Sequence, residues 1–221
     1  LTTDCSATVV SSMRSLSRLL VAIACLLLTS AVHAATSGKV ILVFGDSLSA
    51  GFGIRQDAAW PALLQSRLGE KRLDYSVVNA SISGETSSGG KSRIAEALGR
   101  HRPAILILAL GANDGLRGLP LAGLRENLSA IVAAAGKART RVLLVGMRLP
   151  PNYGPYAEAF AQTFHEVARA GRLPLVPFLL DGIAERPEFF QPDGLHPTAA
   201  AQPRLLDNVW AGLEPLLRQA R

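Results

Sequence analysis

The chain has 221 residues, enough for one α/β domain with a full core and too few for two of ordinary size. Its net charge of +6 is spread along the chain, with no basic run and no interleaved aromatics. That is a solvated basic surface: it argues against nucleic acid as a partner and leaves room for transient contact with lipid surfaces.

From Met13 the chain reads as a secretory signal. Arg14 and Arg18 form the positive start, residues 19–28 the apolar core, and Val32 and Ala34 the small residues before a cut. The dense apolar stretch ends well short of the roughly 20 residues that a bilayer crossing needs. Cys25 lies inside that core rather than at its end, which disfavours lipoprotein processing there. Cleavage after Ala34 is therefore expected, with a periplasmic or secreted product. Residues 1–12 form an unassigned extension, 13–34 the signal peptide and 35–221 one domain. Cleavage removes both cysteines, Cys5 and Cys25, and with them any disulfide, thiol nucleophile or thiolate metal site. It also removes Asp4, Arg14 and Arg18, leaving a net charge of +5.

Short runs rich in Val, Ile and Leu at 40–44, 76–80, 104–110, 141–146 and 173–177 alternate with helical patterns near 58–69, 90–100, 120–137, 155–170 and 199–218. This alternation predicts a three-layer α/β/α sandwich around a five-stranded parallel sheet whose strands are buried on both faces. Ligands of such sheets bind at the carboxyl ends of the strands.

The residues that could carry chemistry fall at those ends. Gly45-Asp46-Ser47-Leu48 follows the first strand and leads into a loop, 49–53, able to bend sharply. Asp193 and His196 stand three apart near the C-terminus, with Pro197 holding the backbone extended. That spacing lets Asp193 accept from His196 Nδ1–H while Nε2 faces Ser47. A serine hydroxyl needs such a base, and the base needs such a carboxylate. The blander reading is a helix cap at Asp46 or Ser47 and a turn at Asp193. His101 and His165 read as structural. Gly-x-Ser-x-Gly is absent, which disfavours the α/β-hydrolase fold. Asn113, in Gly111-Ala112-Asn113-Asp114 after the third strand, can point amide donors over the strand ends. Gly84 allows a backbone N–H to approach the same place closely. Taken singly, Gly84, Asn113 and Asp114 read as turn residues.

Together, Ser47, Gly84, Asn113 and His196 resemble the four blocks of the SGNH (GDSL) hydrolase superfamily. The segments 45–51, 59–64, 78–84, 113–118, 148–154 and 193–197 are similar to its bacterial periplasmic acyl-CoA thioesterase, lysophospholipase and arylesterase group. The resemblance covers nearly all of 38–218. It implies a flavodoxin-like strand order, a Ser47–His196–Asp193 triad, and an oxyanion hole made by the N–H groups of Ser47 and Gly84 with the Asn113 side chain. It also implies a small-molecule acyl ester or thioester substrate, no cofactor and no metal. Ala112 departs from the glycine that related enzymes often carry, a change tolerated unless the position needs positive φ.

Residues 84–92 also have the look of a phosphate-binding loop. Its spacing requires glycine where Glu85 stands, and a carboxylate there repels phosphate. The alternatives kept are a carbohydrate O-acetyl esterase on the same fold and a non-catalytic lipid- or glycan-binding protein. A monomer is the default.

Overall fold

The computed structural model describes residues 38–218, so the expectations for 1–12 and 13–34 lie outside the described residues. Five parallel strands, β1 (Lys39–Gly45), β2 (Tyr75–Asn79), β3 (Ile105–Ala109), β4 (Arg141–Val145) and β5 (Leu175–Val176), form one sheet in the order β2-β1-β3-β4-β5. Ile41 to Phe44, Ile105 to Leu108 and Leu143 to Val145 are all but fully buried. They can be so uniformly apolar because helices cover both faces of the sheet.

On one face α3 (Ser87–His101), α5 (Leu121–Lys137) and α6 (Pro155–Gly171) pack side by side; on the other lie α2 (Trp60–Glu70) and α7 (Gln202–Arg218). Two short helices, α1 (Ser47–Ala50) and α4 (Ala112–Leu116), begin at the ends of β1 and β3. The chain leaves β1 toward β2 on one side and returns to β3 on the other, so the switch point at which such sheets take their ligands falls between the carboxyl ends of β1 and β3.

Two elements differ from the sequence expectation. The last strand is only two residues long, because Pro174 and Pro177 flank it and a proline has no N–H for the ladder. Helix α3 begins before residue 90, since Thr86 Oγ1 accepts the Gly89 N–H (3.3 Å) and caps it through a glycine pair that reads as loop. Among the described residues no helix is long and apolar enough to cross a membrane.

Candidate active site

At the end of β1 the chain turns at once into α1. Asp46 sits before that helix with an extended backbone, and its Oδ1 accepts the Leu48 N–H at 3.0 Å. Asp46 thus does the capping, and Ser47, the first helical residue, keeps its hydroxyl for another partner. The bend expected as a loop over 49–53 therefore starts earlier, as a helix. Asp46 is buried, and its Oδ2 has no partner among the described residues. Burial pushes its carboxyl up to about 7; the Leu48 N–H and nearby His196 pull the other way, and Asp114 adds to the rise.

Ser47 Oγ lies 2.9 Å from His196 Nε2, and His196 Nδ1 lies 2.6 Å from Asp193 Oδ2. Asp193 also builds the turn that presents the ring. Its Oδ1 accepts the backbone N–H groups of Leu195 (2.9 Å) and His196 (3.0 Å). The His196 N–H, then the His196 ring, then the Leu195 N–H hold this carboxyl down at about 2. Ionised at neutral pH, it can only accept. The ring proton therefore sits on Nδ1, and Nε2 is left to accept from the Ser47 hydroxyl.

The loop after α1 closes over this chain of bonds. The Phe52 ring lies against the His196 imidazole with centroids 4.4 Å apart. Gln191 Nε2 donates to the carbonyls of Phe52 (2.8 Å) and Pro197 (3.1 Å), and the Gln191 N–H donates to the His196 carbonyl (2.8 Å).

Gly84 occupies the third place of a turn closed by the Glu85 N–H on the Ile82 carbonyl (3.1 Å), with φ +80°. A type II turn demands positive φ there, hence glycine. A Cβ on Gly84 would meet nothing within 4 Å, so backbone conformation rather than crowding selects the residue. The N–H groups of Ser47 and Gly84 make no hydrogen bond among the described residues.

Asn113 is the second residue of α4, entered through Gly111 at φ +123°, where a Cβ would come within 2.9 Å of Phe164. It spends one amide N–H on the Glu85 carbonyl (3.0 Å) and keeps the second. Ala112 is helical and not among the residues at positive φ, so its methyl is accommodated, buried behind the site. Asp114, also buried, accepts the Ser87 N–H (2.8 Å) and hydroxyl (2.5 Å) and so ties α4 to the first turn of α3.

Ser47, His196 and Asp193 are thus in direct contact, and Gly84 and Asn113 meet through Glu85. His101 closes α3, and His165 lies within α6. Among the described residues no group of His, Cys, Asp and Glu could hold a metal ion. Sequence reasoning missed Phe52 and Gln191, whose partners are distant in the chain and leave no local pattern.

A hydroxyl facing an imidazole that is anchored on an ionised carboxylate, at the strand ends of such a sheet, is what serine-dependent acyl transfer requires. Residues 43–203 match the GDSL-like Lipase/Acylhydrolase family, and the chain belongs to that family, the SGNH hydrolases. It is 48% identical over 182 residues to Esterase TesA of Pseudomonas aeruginosa, covering 82% of this chain and 90% of that protein. It is 40% identical over 184 residues to thioesterase 1/protease 1/lysophospholipase L1 of Escherichia coli K12, covering 83% and 87%. A crystal structure of TesA matches with a TM-score of 0.79 at 49% identity, over 80% of this chain and 99% of that one. The chain is an ester hydrolase with the SGNH fold.

Proposed function

We propose that Ser47 is the nucleophile toward an ester or thioester carbonyl, with His196 taking its proton and then passing it to the leaving group. Asp193 orients His196. The N–H groups of Ser47 and Gly84 and the free amide N–H of Asn113 receive the oxyanion, and water then hydrolyses the acyl-enzyme. The observation that carries this reading is the unbroken chain from Ser47 through His196 to Asp193, at 2.9 and 2.6 Å.

The substrates proposed are acyl esters and thioesters, as the names of the relatives suggest: aryl esters, acyl-CoAs and lysophospholipids. A second observation favours them over acetylated sugars. The large apolar side chains exposed among the described residues are Phe52, Ile82, Leu116, Leu119 and Leu195: Leu116 ends α4, and the other four stand on loops, Phe52, Ile82 and Leu119 after the first three strands and Leu195 beside His196. An acyl chain, apolar along its whole length, gains more by covering such side chains than a sugar whose rim of hydroxyls must stay hydrogen-bonded. Lipid surfaces would be met only transiently, by a monomer.

The decisive experiment is Ser47→Ala assayed with p-nitrophenyl esters and acyl-CoAs of increasing chain length, alongside fluorophosphonate labelling of the parent. Turnover and labelling should both depend on Ser47, with unchanged circular dichroism. Normal hydrolysis by the folded variant would overturn the reading. Residues 35–221 are proposed as the mature domain, exported after cleavage at Ala34. N-terminal sequencing of periplasmic or secreted protein should begin near Ala35, and intact protein confined to the cytosol would refute it.

A further inference from the structure

The ion pair between Glu85 and Arg93 borders the proposed oxyanion site and has no part in the steps above. From α3, Arg93 donates through Nε to Glu85 Oε2 at 2.5 Å and through Nη1 to the Ala80 carbonyl at 2.8 Å. The two side chains are 21% and 12% exposed, whereas every other Lys or Arg ion pair among the described residues has a partner more than half exposed. The same guanidinium lies 3.8 Å from the centre of the Phe44 ring, on the strand that runs into Ser47.

Ala80 and Glu85 bracket the segment that carries Gly84. Between them the Ile82 N–H donates to the Gly45 carbonyl (3.0 Å), and the Gly84 carbonyl accepts from Arg117 (3.2 Å). The Glu85 carboxylate points Oε1 at the bare backbone of Gly89, where an added Cβ would come 1.9 Å from that oxygen. It therefore sits at the amino end of α3, where the helix dipole favours a negative charge. The region that looked like a phosphate loop is occupied by the protein's own carboxylate.

We propose that Arg93 is a positioning residue for the Gly84 N–H: by gripping both ends of residues 80–85 and resting on Phe44, it fixes the turn that aims this donor relative to Ser47. The proposal rests on the reading of Ser47 as nucleophile and Gly84 as oxyanion donor. Two donors on two separate acceptors, with the charge held over a ring, is a task for a guanidinium that an ammonium cannot reproduce. Loss of a whole oxyanion donor costs about 10²–10³ in kcat. A donor displaced but still present should cost about 10–100-fold, since small misplacements weaken a contact made best in the transition state.

The test compares Arg93→Met, Arg93→Lys, Glu85→Gln and Arg93→Met/Glu85→Gln with the parent on p-nitrophenyl butyrate. A trifluoromethyl ketone serves as a probe of the tetrahedral adduct, and thermal unfolding is followed on the same preparations. Arg93→Met should lower kcat by about 10–100-fold with KM within about twofold, and weaken the ketone by the same factor as kcat/KM. Arg93→Lys should recover only part, and the double variant should lose no more than Arg93→Met, because both changes act on one unit. Near-parental kcat in folded Arg93→Met, or a lower melting temperature with unchanged ketone affinity, would overturn the proposal. If Arg93→Met does not fold, the same two readouts on Arg93→Lys decide. Fluorophosphonate separates the two readings: an unlabelled parent Ser47 removes both, whereas a labelled parent with an unaffected Arg93 variant removes only this one.

Discussion

The Phe52 ring lies tilted over the His196 imidazole at 4.4 Å between centroids, although one residue follows the first strand and the other precedes the last helix. Gln191 holds both loops through one amide nitrogen. Phe52 is 49% exposed, so it contributes little to the core; what it covers is the ring that faces Ser47.

Phe52→Ala should therefore affect catalysis more than stability. The expected change is a fall in kcat of about 10-fold, as the imidazole gains freedom and water, with a melting temperature within a few degrees of the parent. Steady-state kinetics and thermal unfolding on one preparation check it. A large loss of melting temperature with normal kcat would assign Phe52 to packing instead.

The contrast between Ser47 and Phe52 shows what the sequence makes legible. Ser47, Asp193 and His196 sit in short motifs, and what holds each in place is local: a cap beside a serine hydroxyl at the end of β1, a carboxylate one turn from an imidazole. The parallel sheet and its helical layers follow equally from continuous apolar runs and their spacing, whereas the strand order is implied only by the family resemblance. Phe52 meets His196, Gln191 meets the Phe52 carbonyl and Arg93 meets Phe44 across distant segments, and nothing in their neighbours announces this. The positive φ at Gly84 and Gly111 belongs between these cases. Glycine is visible in the sequence; the turn that requires it is not.

Asp193→Asn separates orientation from loop structure. Asparagine can still accept from the Leu195 and His196 N–H groups, but its amide facing His196 would favour the wrong tautomer. A loss of kcat near 10⁴-fold is expected, in line with the cost of a mis-set tautomer in other triads. Stability carries a second signature. The folded carboxyl, held at about 2 against an ordinary 3.8, stabilises the fold above about pH 4, and that contribution is lost as pH falls toward 2. The variant should lack this acid-side loss. Equal slopes of stability against pH for the two proteins between pH 4 and 2 would refute it.

Asp46 works in the opposite direction and in a different window. Its folded value of about 7 lies above 3.8, so its contribution is complete below about pH 4 and is lost as pH rises through 7. The groups that set it are the burial itself, the Leu48 N–H, His196 and Asp114. Asp46→Asn keeps an acceptor for Leu48 and carries no charge. Its melting temperature relative to the parent should therefore climb between pH 4.5 and 8. Parallel curves would mean that Asp46 does not titrate in this range.

Asn113 distinguishes an oxyanion donor from a structural bond. Gly111, not Asn113, precedes α4, so Asn113 is no cap; its visible bond is the one to the Glu85 carbonyl at 3.0 Å. Losing that bond alone should reduce stability by about 0.5–1.5 kcal/mol and leave kcat largely intact. If its second N–H meets the developing oxyanion, Asn113→Ala should also lower kcat by about 10²–10³, roughly 2.7–4 kcal/mol, with KM little changed. The two effects are read independently, by thermal unfolding and by steady-state kinetics on the same protein. A drop in melting temperature with near-normal kcat would leave Asn113 as a tie between α4 and the Gly84 turn, and the oxyanion site would then have to be built from the backbone N–H groups of Ser47 and Gly84 alone.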